Sequence, residues 1–314
     1  MDSAELQKLA ERTRSMREAG IGLLIASGFL ALFLFVPLGS KAVPTSITVA
    51  APTAPDAFAR VLIEAKAAIV YDLATGEVLY AKNADAQLPL ASLTKLLTVY
   101  AALAELSPAT PITISASALN LDGPHLLSKG QTFRLDDLAR LTLTASLNDG
   151  AVAIAEATAE RENRSQIDML AGAAASLGLS QTYAVNGSGL DVNTSISGGY
   201  GSAHDLALLV GALVARAADI AAATTLGSVQ AVSLGGTTFR VTNTDPMVDS
   251  IPRLLLSKTG FTDLAGGNLA LVFDVGIAHP VAIVVLGSSK TSRFTDGTAL
   301  VAATLAHFAG VESL

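Results

Sequence analysis

Three short clusters in this chain hold the residue types that nucleophilic chemistry requires. The first is Ser92-Leu93-Thr94-Lys95. Residues three apart on a helix share a face, so Lys95 is expected one turn along from the Ser92 hydroxyl. A serine hydroxyl is a weak nucleophile at neutral pH and needs an adjacent base. A lysine can serve if burial or a nearby cation lowers its pKa and leaves part of it neutral. The pattern is weak by itself, since it arises by chance about once in a few hundred residues; on this motif alone an N-cap serine followed by an exposed lysine is the better account. The second cluster is Ser146-Leu147-Asn148, whose hydroxyl and carboxamide could relay a proton and hold an amide; taken singly, two helix-cap residues are the simpler account. The third is Lys258-Thr259-Gly260, late in an apolar run. There a cation and a hydroxyl could grip a carboxylate, while the glycine admits a ligand close to the backbone. A strand ending in a turn is the plain alternative.

The conjunction is far less ordinary than its parts. SxxK, then SxN, then KTG, in that order, is the signature of the serine acyltransferases that include β-lactamases and penicillin-binding proteins. Competing chemistries find little support. The 314 residues contain no cysteine, which removes thiol catalysis, disulfides and thiolate metal sites. The four histidines, at 125, 204, 279 and 307, show no metal-ligand spacing. No phosphate-cradling glycine motif is present, so no nucleotide cofactor is expected. With 27 acidic against 20 basic residues and no basic tract, nucleic acid is not an expected partner.

Residues 67–73 and 77–82 read as strands joined by Ala74-Thr75-Gly76, a hairpin just ahead of the first cluster. Ser92 opens a helical stretch that ends before Pro108. Helical spacing then dominates, through 135–146, 149–161, 165–178 and 203–217, so the second cluster falls between two helices. From about 227 the pattern turns to strands: 228–234 and 237–243 around Gly235-Gly236, then 253–260, 268–276 and 280–288. A helix over 298–310 closes the chain. These runs predict an α+β domain, an antiparallel sheet flanked by helices with an all-helical insert.

Ahead of this body, Ala19 to Ser40 form 22 uncharged residues, enough to span a hydrocarbon core of about 30 Å. Lys8, Arg12, Arg14 and Arg17 precede the run and only Lys41 follows closely, so the N-terminus is expected inside and the rest exported. The expected organisation is a cytoplasmic tail at 1–19, a single transmembrane helix at 20–39, an Ala/Pro/Thr-rich linker at 40–60 and a catalytic domain at 61–314. A cleaved signal peptide is the rival, because Ser40-Lys41-Ala42 offers small residues at cleavage positions.

At this point the sequence resembles the low-molecular-mass penicillin-binding proteins, the serine-type D-alanyl-D-alanine carboxypeptidases of peptidase family S11. The likeness extends past the three motifs to residues 71–98, 144–156, 186–191, 201–209, 257–272 and 284–288, with Arg293, and covers roughly 62–312. It implies a β-lactamase/DD-peptidase-like fold and gives each residue a role. Ser92 is the acylated nucleophile and Lys95 its general base. Ser146 passes a proton to the leaving D-alanine nitrogen, and Asn148 holds the substrate amide. Lys258 depresses the Lys95 pKa and, with Thr259, binds the terminal carboxylate. The N–H groups of Ser92 and Phe261 form the oxyanion hole. Gly260 and Thr262 complete the substrate-binding strand. The implied partners are peptidoglycan stem peptides, β-lactams as covalent inhibitors, and the membrane through the N-terminal helix. The resemblance also implies that no metal or other cofactor is needed. Leu147 stands where Gly or Ala is frequent, Phe261 where some relatives have His, and His204 where Arg is common. No counterpart of the β-rich C-terminal domain and amphipathic anchor of many relatives is expected, and the N-terminal helix is expected to take over anchoring. A β-lactamase is disfavoured, because no ExxLN segment lies between Asn148 and Lys258. A D,D-endopeptidase stays open, as does a non-catalytic penicillin-binding sensor.

Overall fold

The computed structural model describes residues 2–35, 56–121 and 125–311. The chain divides into two compact units, Met1–Thr53 and Ala54–Leu314. The first holds one helix, α1 (Ser3–Phe35). Among the described residues no helix is long and apolar enough to cross a membrane. The expected span at 20–39 runs past the end of α1, and its last residues, with most of the expected linker, lie outside the described residues.

The second unit opens with the hairpin β1 (Ala67–Asp72) and β2 (Val78–Lys82). Two-residue β3 (Leu88–Pro89) leads into a 3₁₀ turn, Ala91–Leu93, and then α2 (Thr94–Glu105). Ser92, the expected start of the helix, therefore sits in the tighter turn that feeds it, and α2 proper begins two residues later at Thr94. Short strands β4 (Pro111–Thr113) and β5 (Thr132–Arg134) pair with each other. Helices α3 (Leu135–Ala145), α4 (Asn148–Glu162) and α5 (Gln166–Ser176) follow, then β6 (Tyr183–Ala184) and β7 (Gly199–Gly201), which join β3 in a small sheet. Next come α6 (Ala203–Arg216), α7 (Ala218–Ala223) and the hairpin β8 (Ser228–Val232) and β9 (Thr238–Thr242). Strands β10 (Leu254–Thr262), β11 (Gly266–Asp274) and β12 (Pro280–Ser288) precede the last helix, α8 (Ser292–Ala309).

The main sheet has the order β10-β11-β12-β1-β2, antiparallel throughout. Its inner strands are apolar on both faces because both faces are covered. Alternation along β1 divides its residues: Ile69 packs into the large core with α2 and α6, while Ala68 and Val70 pack into a second core beneath α8. Val284 and Ile283 repeat the division on β12. Each buried Ile, Leu or Val contributes about 2 kcal/mol of apolar burial. Asp296 of α8 ties its core to the segment just ahead of β1, accepting from the Glu64 and Ala65 amides at 3.1 and 3.0 Å and from Ser288 Oγ at 2.7 Å.

Two consequences bear on the cleft. Strand β10 is an edge strand, so one side of it faces α2 and the α3–α4 junction instead of another strand. It also runs through Thr262, so Lys258-Thr259-Gly260 lies within a strand and not at its end. The pairing with β11, from Leu254 opposite Phe273 to Thr262 opposite Gly266 with one register shift between Leu254 and Leu256, carries the strand past the motif.

Candidate active site

Three elements converge on the edge of β10. The turn before α2 brings Ser92, the first residues of α2 bring Lys95, and the α3–α4 junction brings Ser146 and Asn148. Two non-glycine residues hold left-handed backbone there. Ala91, just before Ser92, has φ +48°, and Ser146 has φ +59°. Each such conformation costs on the order of 1 kcal/mol and persists only where surrounding packing imposes it. At Ser146 the αL geometry stops α3 and aims the hydroxyl back toward β10. Leu147 is extended, and Asn148 begins α4.

Lys95 is fully buried. Its Nζ lies 2.9 Å from Ser92 Oγ, 2.8 Å from Asn148 Oδ1 and 2.6 Å from the Ser188 carbonyl. Burial pushes its pKa down from 10.5 to about 7, partly opposed by the negative charge of Asp149. The position of Lys95 at the N-terminus of α2, where the helix dipole is positive, also disfavours an ammonium. A neutral amine has two N–H groups and one lone pair. With the N–H groups donated to Asn148 Oδ1 and Ser188 O, the lone pair is left to face the Ser92 hydroxyl. That is the arrangement needed to take the Ser92 proton.

Lys258 is equally buried. It donates to Ser146 Oγ at 3.0 Å and to the Thr259 carbonyl at 2.8 Å. Burial pushes its pKa well below the ordinary value, and the charges of Lys95 and Arg293 push it further. Burial is the largest cause of the lowering at both lysines, and the repulsion between their two charges disfavours the ammonium form of each. Thr259 shares a 2.6 Å hydroxyl contact with Thr244.

The remaining expected residues have other roles in the geometry. A Cβ on Gly260 would come within 3.2 Å of Ser92 N and 3.0 Å of Leu90 O, which shows how closely β10 passes the turn. Arg293 NH1 donates to the Gly260 carbonyl at 2.5 Å. The Phe261 ring is 40% exposed, with Lys290 Nζ 5.2 Å from its centroid. Thr262 Oγ1 donates to Asp191 at 3.0 Å, which ties the end of β10 to the 186–198 loop.

That loop supplies what motif spacing did not single out. Asn186 Oδ1 accepts from Ser188 N, Ser188 Oγ and Gly189 N, folding the segment so that the Ser188 carbonyl reaches Lys95. Gly189, at φ +77°, lies against Ala91, and any Cβ there would collide with the Ala91 carbonyl. The glycine-rich run 186–191 was visible in the sequence; its carbonyl contact was not. Asp245, also buried, was missed because it belongs to no motif; buried Asp149 fell within the likeness over 144–156 but was given no role. Size does not locate the site either: a cavity of about 640 Å³ lined by Arg140, Asp219, Leu226, Val229 and Arg240 includes none of these residues.

Comparison with known proteins gives a consistent picture. The family model for D-alanyl-D-alanine carboxypeptidases, peptidase family S11, matches residues 50–290. The chain is 33% identical over 202 residues to D-alanyl-D-alanine carboxypeptidase DacC of Escherichia coli, a match spanning 60% of this chain but only 46% of that relative. It is 30% identical over 240 residues to a D-alanyl-D-alanine endopeptidase of Pseudomonas aeruginosa, covering 74% of each. Among solved structures, penicillin-binding protein D2 of Listeria monocytogenes in its ampicillin-bound form superposes with a TM-score of 0.65 at 28% identity, over 77% of this chain and 97% of that one.

Proposed function

The chain belongs to the D-alanyl-D-alanine carboxypeptidase family S11, and on that premise we propose that it is a serine carboxypeptidase that removes the terminal D-alanine from peptidoglycan stem peptides through an acyl-enzyme on Ser92. The observation that carries this reading is the 2.9 Å contact between Ser92 Oγ and a buried Lys95 whose pKa lies at about 7.

In this reading the stem peptide lies along the open edge of β10, with its carboxylate against Lys258 and Thr259. Asn148 holds the substrate amide while it orients Lys95. Neutral Lys95 takes the Ser92 proton as Oγ attacks the penultimate carbonyl. The oxyanion is received by the N–H groups of Ser92 and Phe261, and a preorganised donor of this kind is worth about 3 kcal/mol in the transition state. Ser146, which accepts from Lys258 at 3.0 Å, gives its proton to the departing D-alanine nitrogen and takes back the one that Lys95 drew from Ser92, so Lys95 is neutral again. Gly260 keeps the strand close to Ser92, and Thr262 helps close the end of the cleft. Water then attacks the ester with Lys95 again as base, which restores Ser92. A β-lactam would acylate the same serine, in line with the ampicillin-bound relative.

The domain plan is part of the proposal: tail at 1–19, membrane helix at 20–39, linker at 40–60, catalytic domain at 61–314, held outside the cytoplasmic membrane. The uncharged run after Arg17 and Glu18 and the basic residues before it support the anchor.

Release of D-alanine from a synthetic stem peptide by the full chain tests the reading, with Ser92→Ala as the blank. Equal release by both proteins would overturn it. The endopeptidase reading has one specific support, the Pseudomonas relative. Digestion of cross-linked muropeptides separates the two, since a carboxypeptidase leaves the cross-links intact.

A further inference from the structure

Asp245 has no part in the chemistry described above, yet it is one of the most constrained charged residues in the molecule. It is 2% exposed, in the segment between β9 and β10. Its Oδ2 accepts from Ser257 Oγ at 2.6 Å and its Oδ1 from Met247 N at 2.8 Å. The segment itself is braced. Asn243 Nδ2 donates to the carbonyls of Thr224 and Leu226 at 2.7 and 2.9 Å, and Asn243 Oδ1 accepts from Asp245 N. Thr244 N donates to Thr144 O at 3.2 Å, two residues before Ser146, and the Thr244 hydroxyl touches Thr259. The carboxylate is therefore fixed behind the strand that carries Lys258.

Both donors to Asp245 are neutral. A buried carboxylate with only neutral donors is costly unless nearby cations compensate it through space. The charges facing this part of β10 are three cations and one anion: Lys95 from α2, Lys258 from β10, Arg293 from α8 and Asp245 itself. Asp149 acts on Lys95 from the other wall. Arg293 donates to the Gly260 carbonyl but its buried Nε has no partner, so its charge too is balanced at a distance. The two carboxylates divide the work: Asp149 opposes the lowering of Lys95, and Asp245 opposes the lowering of Lys258 and Arg293.

Resting on the proposed reading of the site, we infer that Asp245 is a positioning residue, the buried counter-charge that keeps Lys258 an ammonium and so able to hold the carboxylate of the substrate. The sign follows directly. Removing the negative charge makes the Lys258 ammonium harder to keep, so its proton is lost at lower pH. The alkaline limb of kcat/KM then moves down, and KM rises more than kcat falls.

The test is the titration of Lys258 in the full-length protein, followed by NMR of ¹³Cε-labelled lysine, with the resonance assigned through Lys258→Arg. Asp245→Asn is nearly isosteric and keeps the capacity to meet Ser257 and Met247. It is expected to move the titration to lower pH by on the order of one unit, with the alkaline limb of penicillin acylation moving with it and KM for a stem peptide rising several-fold. Ser257→Ala keeps the charge and removes one hydrogen bond, and is expected to leave the titration within a few tenths of a unit. Because Asp245→Asn could fail to fold, the wild-type Asp245 ¹³Cγ resonance provides a second measurement: it should show an inflection at the pH where Lys258 titrates. An unmoved Lys258 titration in a folded Asp245→Asn, equal shifts in Asp245→Asn and Ser257→Ala, or no inflection at Asp245 would overturn the inference. If Lys258 titrates as expected but the wild type releases no D-alanine, the counter-charge role stands and the carboxypeptidase reading falls.

Discussion

The two walls of the cleft each bury a lysine, and they put it to different use. On the helical wall, Lys95 sits at the start of α2 with its amine held between two carbonyl oxygens and the Ser92 hydroxyl. On the sheet wall, Lys258 projects from an edge strand, beside Ser146 and among other cations. Burial lowers both. The difference lies in what surrounds them. Two carbonyl acceptors use up the N–H groups of a neutral Lys95 and direct its lone pair at a hydroxyl, which makes a base. In the proposed reading Lys258 instead keeps its charge, against the lowering that burial imposes, at the edge of a sheet where an anion can dock, which would make it a binding group. The lesson is that a buried amine is given its task by the acceptors and charges around it, since the extent of burial is the same in both.

The largest effects should come from the helical wall. Ser92→Ala and Lys95→Met are each expected to lower kcat/KM at least about a thousandfold, measured as D-alanine release. Lys258→Ala on the sheet wall should cost roughly 10- to 100-fold, mostly in KM, because it removes a charge-assisted contact to a carboxylate that persists through the reaction. If Lys258→Ala instead cut kcat with KM unchanged, the division between base and binding group would be wrong.

Stability should separate the walls from activity. The folded pKa of Lys95 lies below its unfolded value, so between pH 7 and 10.5 the unfolded chain holds more protons and stability rises with pH. Lys95→Met lacks this titration. Its gain in thermal stability over the wild type is therefore expected to be greatest at or below pH 7 and to shrink toward pH 10, as read by melting at pH 6, 8 and 10. A constant difference across that range would show that Lys95 is not held near 7. The smallest effect belongs to Phe261. Its backbone N–H is the group assigned to the oxyanion, and its ring is 40% exposed, so Phe261→Ala is expected to change kcat/KM less than about fivefold. A larger loss would mean that the ring itself grips the substrate.

The parts of this molecule that local chemistry determines were legible in its sequence. The inner strands of the sheet, such as residues 280–288, are unbroken apolar runs because they are covered on both faces. The long helices show their spacing because each has one buried face. The three motifs stood out because each needs particular side chains at fixed local intervals. What long-range packing determines was not legible. The strands at 88–89, 183–184 and 199–201 are too short to have a periodicity and exist because they meet one another. The continuation of β10 through Thr262 depends on its pairing with β11, far from any signal in Lys-Thr-Gly itself. Likewise the Ser188 carbonyl carries no residue identity that a sequence could advertise, though it lies 2.6 Å from Lys95. Asp245 reads as an ordinary polar residue, and the pairing of Asp149 with Asn148 gave it no role; only burial singles the two out.

The most direct test of the account is the rate of covalent acylation by penicillin as a function of pH, read by intact mass and peptide mapping on wild type and Ser92→Ala. The account predicts one adduct, on Ser92, forming at a rate that rises with pH through an inflection near 7 as Lys95 loses its proton, and no adduct in Ser92→Ala. An adduct that persists in Ser92→Ala, or a rate on Ser92 that is flat from pH 5 to 9, would contradict it.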